Sequence, residues 1–385
     1  MTDRIHPVTS VTAFFLSDIP VARFYWRIVQ GLDLQKYPCV FIIQDAQVQR
    51  YAEEHFSGVG ILFIRLFDDT QLIESIKSKP ALYANIMADI RHSMEVVFHH
   101  IDEDTCLSRY LSTFSFLKML FDKIPVAKMF VGSGTAVVTK ACAFTCKMHR
   151  IETRFIELSN LPDTLFLDPV GVNADSSLAT EPSTLDVWPE VSEAQHQQWM
   201  RHYEKYKQQP LPQARHNPQA ALIEQLSTDR VLGGIQPYIL APLQVSHDAQ
   251  LALYTDKTNE DLICYAAAEA QRTGRRLVVK LHPAEVNVGE IQKVAELKAA
   301  LGFALTNENT TQLLRRAAKI ITINSTVGLE AQLYEKELEI LGDCFYKHFT
   351  RSRLRKYIHH YLFQPVKFFS DEPISGEVAR QFIAS

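Results

Sequence analysis

The feature that most restricts this chain is a rhythm: short apolar runs alternate with amphipathic stretches of helical length, once over residues 8–157 and again over 238–341. Val8–Leu16, Cys39–Ile43, Ile61–Leu66, Ala127–Val131 and Thr153–Glu157 read as strands, with helices at Val21–Leu32, Ser108–Lys123 and Thr135–Met148. The second series has strands at Tyr238–Ala241, Arg276–Leu281, Phe303–Thr306, Lys319–Ile323 and Glu337–Leu341. Its helices are Asn259–Thr273, Val288–Ala300, Thr310–Ala318 and Thr326–Tyr334. Strands that alternate with helices favour a parallel sheet covered on both faces. Residues 176–236 break the rhythm with Gln, Ser, His and five prolines (Pro182, Pro189, Pro210, Pro212, Pro218), the texture of a connection carrying two helical patches.

With 385 residues, 46% of them apolar, the chain has material for two cores of roughly 170–200 residues each. The expected fold is α/β with two Rossmann-like domains facing across a cleft, the GT-B arrangement. The domains are residues 1–177, on the acceptor side, and 237–345. A helical linker at 178–236 joins them and a basic-aromatic helical segment at 346–385 follows. No short-period internal repeat accompanies this duplicated architecture.

Forty Lys and Arg against forty-four Asp and Glu leave a net charge of −4, which argues against a nucleic-acid-binding surface. Met1-Thr-Asp-Arg-Ile-His-Pro7 has neither a basic region nor an apolar core of leader type, and no run approaches eighteen uncharged apolar residues. A cytoplasmic protein is expected, peripheral on the inner face of the cytoplasmic membrane if its closing segment docks there. The six cysteines lack zinc-site spacing and read as reduced core residues, Cys142 and Cys146 one helical turn apart. Asp68-Asp69 and Asp102-Glu103-Asp104 read as solvated acids, the latter at a helix start, so no metal is expected.

The strongest local signal is Lys319-Ile-Ile-Thr-Ile-Asn-Ser-Thr-Val-Gly-Leu-Glu330, a buried strand running straight into a helix. Free N–H groups at such a junction favour a phosphate, Ser325 and Thr326 add hydroxyl donors, and Gly328 leaves room for close approach. Helix capping by Asn324 or Ser325 is the plain alternative, and is compatible with phosphate binding. Lys280-Leu-His-Pro283 ends another strand, so His282 is expected at the carboxyl edge of the sheet, where Pro283 stops the strand. Pro242-Leu-Gln-Val-Ser-His-Asp-Ala-Gln250 follows the first strand of the second domain. Its Asp248 is either a nucleophile or base, or an ordinary loop acid.

In the first domain, Arg154-Phe-Ile-Glu157 ends a strand in a carboxylate, and residues 158–177 read as one long irregular loop of the kind that carries function. Gly132-Ser-Gly-Thr135 is a weaker acceptor-side or anion-side turn without a full phosphate motif. Near the carboxyl end, Lys347, Arg351, Arg353, Arg355, Lys356 and Lys367 interleave with Phe345, Tyr346, Phe349, Tyr357, Tyr361 and Phe363. This is a segment for anionic lipid or glycan, or one that packs back on the protein.

Taken together these residues resemble the capsule-polysaccharide biosynthesis family and its relatives, the retaining β-Kdo transferases that use CMP-Kdo. The resemblance lies in 155–177, Gln244-Val-Ser-His-Asp248, Lys280-Leu-His-Pro283, Ile323-Asn-Ser-Thr-Val-Gly-Leu-Glu-Ala331 and Leu341-Gly-Asp-Cys-Phe-Tyr346. The sequence departs from the family pattern at Ser159-Asn160, where a Gly-Tyr-like pair is more usual, and at Val170, where Arg is frequent.

The resemblance implies a glycosyltransferase moving Kdo from CMP-Kdo to a saccharide or glycolipid acceptor, in capsule or lipopolysaccharide biosynthesis. Implied with it are His282 and the Asn324-Ser325-Thr326 turn on the CMP phosphate, Glu330 near the ribose, and Lys280 or Arg275 as counter-charges for the Kdo carboxylate. It also implies Asp248 as nucleophile and Glu157 as base for the acceptor hydroxyl. A phosphate monoester leaving group needs donors and a cation rather than an obligatory metal, so no cofactor is expected. The rival readings are a CMP-sialic-acid-dependent sialyltransferase, a UDP-sugar 2-epimerase-like enzyme, and a non-catalytic glycan-assembly protein.

Overall fold

The computed structural model describes residues 10–67, 70–159, 161–208 and 217–385. Met1–Pro7, Val8, Asp68-Asp69, Asn160, Pro210 and Pro212, named above, lie outside the described residues.

In the first unit the apolar runs become β1 (Val11–Leu16), β2 (Cys39–Ile43), β3 (Gly60–Phe63), β4 (Val126–Val131), β5 (Glu152–Leu158) and β6 (Leu165–Asp168), in the order β3-β2-β1-β4-β5-β6. All neighbours are parallel except β6, which runs antiparallel to β5 with Leu158 opposite Leu165 and Phe155 opposite Asp168. The stretch expected as one irregular loop after Glu157 therefore contains a strand. Its Leu-Phe-Leu-Asp run is buried throughout, so it lacks the polar alternation that marks a half-exposed strand.

Aromatic side chains fill this core: Phe14 stacks on Phe130 at 5.1 Å, and Phe382 from the closing helix Gly376–Ala384 stacks on Phe130 at 4.7 Å. A Cβ at Gly31 would stand 2.9 Å from the Ala379 Cβ, so glycine there lets the closing helix seat against the end of the helix Ile19–Gln30.

The second unit is a parallel sheet of β7 (Tyr238–Pro242), β8 (Arg276–Lys280), β9 (Ala304–Leu305), β10 (Lys319–Thr322) and β11 (Glu337–Ile340), ordered β11-β10-β7-β8-β9. Both faces are covered. Ile239, Ala241, Val279 and Ile321 pack into one apolar cluster, while Leu240, Val278 and Ile320 pack into another on the opposite face, the period of two expected of a strand.

Each unit is thus Rossmann-like, and the chain is an α/β protein with two such units. The first unit holds the chain up to Ser159 with Asp163–Ser177 and Tyr361–Ser385, and the second holds Leu178–His360. The stretch 178–236, expected as a linker, groups with the second unit, and the segment expected as 346–385 divides at Tyr361. Among the described residues no helix is long and apolar enough to cross a membrane. Cys106, Cys142, Cys146 and Cys344 are buried, whereas Cys264 is exposed. The expectation of a core residue fails there because Leu262, Ile263 and Ala266 form the inward stripe of its helix and 264 falls outside it.

Candidate functional site

In the second sheet β7, β8 and β9 step to one side and β10 and β11 to the other. The connections leaving the carboxyl ends of β7 and β10 therefore diverge, which makes this edge the topological switch point, the kind of place where ligands of open α/β sheets bind. A buried amide network holds the two connections together. Gln244 donates to Asn324 Oδ1 at 2.8 Å and its own Oε1 accepts the Asn324 N–H at 3.2 Å. Asn324 Nδ2 donates to the Gln250 carbonyl at 2.8 Å, and Asn259 exchanges hydrogen bonds with the Gln244 backbone.

Asn324 is fully buried and both ends of its amide are occupied. It is a positioning residue, not the free ligand donor that the sequence suggests.

The next two residues are placed differently. Ser325 caps the helix Thr326–Leu333, its hydroxyl accepting the Val327 N–H at 3.2 Å, and Thr326 is partly exposed in the first turn. Capping, the plain alternative for this turn, is therefore present. The room left by Gly328 is used internally: a Cβ there would lie 2.5 Å from the Tyr346 hydroxyl, which donates to the Ser325 carbonyl. Close approach at Gly328 is thus made by Tyr346.

His282 lies just past β8. Its Nδ1 accepts the Ala284 N–H at 3.1 Å, so the neutral ring carries its proton on Nε2. Burial lowers its pKa, the charges of Asp248 and Glu285 act the other way, and Lys280 adds to the lowering, so all three stand within electrostatic reach. Lys280, the last residue of β8, donates to the Glu308 carbonyl at 2.9 Å. Burial brings its ammonium down to about 8 against the opposing charge of Glu308.

Arg275 precedes β8, roughly 16 Å of strand from Lys280, and pairs with Glu337 at 3.4 Å. Its position at the amino end of the sheet removes it as a counter-charge for a ligand at the carboxyl edge.

Asp248 caps the helix Ala249–Tyr254 through the Gln250 N–H at 2.8 Å and is partly exposed. The loop that carries it is fastened by Glu285, which sequence reasoning passes over. Its carboxylate, 1% exposed, accepts from the Ser246 N–H at 2.7 Å, the Ser246 hydroxyl at 3.1 Å and the Asn287 N–H at 2.8 Å. A carboxylate two residues after Pro283 was the only available signal. Glu330 is buried on the helix Thr326–Leu333 and paired at 2.5 Å with Lys207, from the stretch expected as linker.

In the first unit Glu157 lies inside β5, opposite Phe166 of β6, and its Oε1 accepts the Leu158 N–H at 3.1 Å. The chain that follows is organised by Asp168. This fully buried carboxylate accepts from the N–H groups of Val170, Gly171 and Ser177 and from the hydroxyls of Ser177 and Tyr361, at 2.6–3.1 Å. The Gly132–Thr135 turn leads into the helix Val137–His149, whose first N–H is taken by the Glu95 carboxylate at 3.1 Å. The chain itself supplies the anion that this turn was expected to attract.

Asp102 caps the helix Glu103–Phe121, accepting the Thr105 N–H at 2.8 Å, as solvated acids at a helix start do. Among the described residues no three His, Cys, Asp or Glu side chains converge in a metal-ligating group. The carboxyl-terminal cations have partners: Arg353 pairs with Asp186, Arg355 with Glu193 and Lys356 with Glu190.

Comparison with known proteins falls on the same segments. The family model for "Capsule polysaccharide biosynthesis protein" matches residues 194–356. The protein FixF of Sinorhizobium fredii (strain NBRC 101917 / NGR234) is 30% identical over 198 residues, 50% of this chain and 43% of that protein. The capsule polysaccharide export protein KpsS of Escherichia coli is 29% identical over 123 residues, 29% of this chain and 31% of that one. The chain thus spans less than half the length of these curated relatives. Among solved structures, the Thermosulfurimonas dismutans KpsC β-Kdo 2,7 transferase aligns over 97% of this chain and 100% of its own, at 13% identity and a TM-score of 0.46. The segment of this chain that is similar to the capsule polysaccharide biosynthesis protein model contains the loop after β7, His282 and the turn after β10.

Proposed function

We propose that the chain is a glycosyltransferase of surface-polysaccharide biosynthesis that moves Kdo from CMP-Kdo to a saccharide or glycolipid acceptor with retention. The second unit holds the CMP. The reading rests on three donors at the carboxyl ends of β8 and β10: the Lys280 ammonium and the Nε2–H of His282 at the end of β8, and the partly exposed first turn at Thr326 after β10. Together they suit one phosphate, and they stabilise CMP as it departs as a phosphate monoester. Asn324 and Glu285 act at one remove, by fixing the two connections.

In the proposed reaction Asp248 attacks the anomeric carbon of Kdo, forming a carbon–oxygen bond as the bond to the CMP phosphate breaks. The acceptor hydroxyl then attacks the same carbon, Glu157 takes its proton, and the Asp248 carboxylate leaves. Membrane docking is not part of the proposal, because carboxylates of 186–193 already neutralise the cations Arg353, Arg355 and Lys356.

A thermal-shift series with CMP, UMP, UDP and GDP tests the nucleotide assignment, since a ligand that binds the folded state raises its melting temperature. CMP is expected to raise it and UDP to leave it unchanged. Equal shifts with both would remove the cytidine assignment. Turnover of CMP-Kdo against CMP-sialic acid then identifies the sugar.

A further inference from the structure

Four residues of the helix Glu193–Tyr206 and its end form one stripe: His196 and Tyr203 both stack on Trp199, and the Lys207 ammonium lies 6.0 Å from the Tyr203 ring centre. The stripe delivers Lys207 to Glu330, Nζ to Oε1, at 2.5 Å. Glu330 is 2% exposed, and its second oxygen, Oε2, is buried with no hydrogen-bond partner among the described residues. The buried hydroxyl of Tyr334 is likewise unpartnered there. Burial first, and the nearby Glu330 charge with it, keep Tyr203 and Tyr334 protonated, and the Tyr203 hydroxyl stands against the Glu330 carboxylate. A carboxylate with one oxygen outside good hydrogen-bond geometry is an incomplete polar site, since buried polar groups are otherwise satisfied.

Its position says what would complete it. Glu330 follows Thr326 by four residues, so the two share a helix face about 6 Å apart along the axis. A phosphate held in the first turn would place the sugar of its nucleoside along that face.

We propose that Lys207 is a specificity-determining residue of the nucleotide site, the counter-ion of Glu330 that the vicinal hydroxyls of a ribonucleotide replace. The inference rests on the CMP reading of the second unit. The exchange is feasible because the pair is asymmetric: the Lys207 side chain keeps 16% exposure and can return to water, whereas the Glu330 side chain keeps 3% and cannot. A ribose diol donates to the carboxylate without bringing charge. A deoxyribose leaves it one donor short and favours the resident lysine.

Calorimetric titration of the full chain with CMP and 2′-deoxy-CMP tests this. Wild type is expected to prefer CMP by about ten-fold, the worth of one hydrogen bond to a charged group. Glu330→Gln should weaken CMP to the level of 2′-deoxy-CMP. Lys207→Met, which removes the competitor, should tighten CMP more than 2′-deoxy-CMP and widen the ratio. A ratio unchanged or narrowed by Lys207→Met makes the lysine a structural ion pair and overturns the proposal. If that variant does not fold, Lys207→Gln is judged by the same criterion. Wild type that binds CMP without preferring it over the deoxy form also overturns the inference but leaves the CMP site intact, whereas wild type that binds neither overturns the CMP reading itself.

Discussion

Asn324, Ser325 and Thr326 are consecutive, yet they have different jobs. Replacing Asn324 by Leu strands the Gln244 amide and the Gln250 carbonyl in a buried setting, at roughly 1–3 kcal/mol for each unsatisfied group, so urea unfolding should show a large loss of stability. Ser325→Ala combined with Thr326→Ala should cost about 1 kcal/mol of stability through the lost cap, and weaken CMP by roughly 1–3 kcal/mol. Unchanged CMP affinity would reduce that turn to capping alone. Lys280 adds a pH signature. Burial lowers its pKa to about 8, so CMP affinity should decline as pH rises through 8 and the ammonium is lost. The unfolded chain holds that proton up to its ordinary pKa near 10.4, so this group's contribution to stability should instead rise between about pH 8 and pH 10. Titrations of CMP binding and of urea stability over that range should move in opposite directions, and parallel trends would place the phosphate away from Lys280.

Elements were legible in the sequence wherever their pattern was internal. β2 and the helix Asn259–Thr273 fall on the expected residues, and most other strands shift by only one or two, because a buried apolar run bounded by turn residues describes itself. What escaped depended on partners distant in sequence. β6 exists because β5 pairs with it, and because Asp168 gathers the backbone of 170–177 and the Tyr361 hydroxyl, a residue 193 positions away. The helices between β2 and Glu103 were also passed over, their apolar stripes interrupted by charges that face solvent. The candidate site divides the same way: His282 and Ser325-Thr326 were visible from strand ends, whereas Glu285 and Lys207 matter only through contacts that no local pattern encodes. Asp168→Ala checks the reading of its loop as an anchored element. It leaves several buried donors without an acceptor, so the first unit should unfold at lower urea, and limited proteolysis should cut within 169–177. Wild-type resistance in that variant would mean that β6 pairing alone holds the segment.

For the whole molecule the question is whether two carboxylates, Asp248 in the second unit and Glu157 in the first, serve successive halves of one reaction. Their local settings already differ: Asp248 caps a helix through one oxygen, and Glu157 lies within a strand. If Asp248 is the nucleophile, Asp248→Asn retains the fold, since asparagine also caps helices, and retains much of the CMP affinity. It lacks the attacking charge, so transfer should fall by orders of magnitude. Glu157→Gln should act later, slowing deprotonation of the acceptor after CMP has gone, so that Kdo accumulates on the protein when CMP-Kdo is supplied. Intact-protein mass spectrometry of Glu157→Gln should therefore show the added mass of one Kdo, and the double variant with Asp248→Asn should show none. An adduct that persists in the double variant would assign the nucleophile to another residue. Near-normal turnover by Asp248→Asn would leave the aspartate as the helix cap it is seen to be, with the CMP-binding half of the proposal still standing on its own donors.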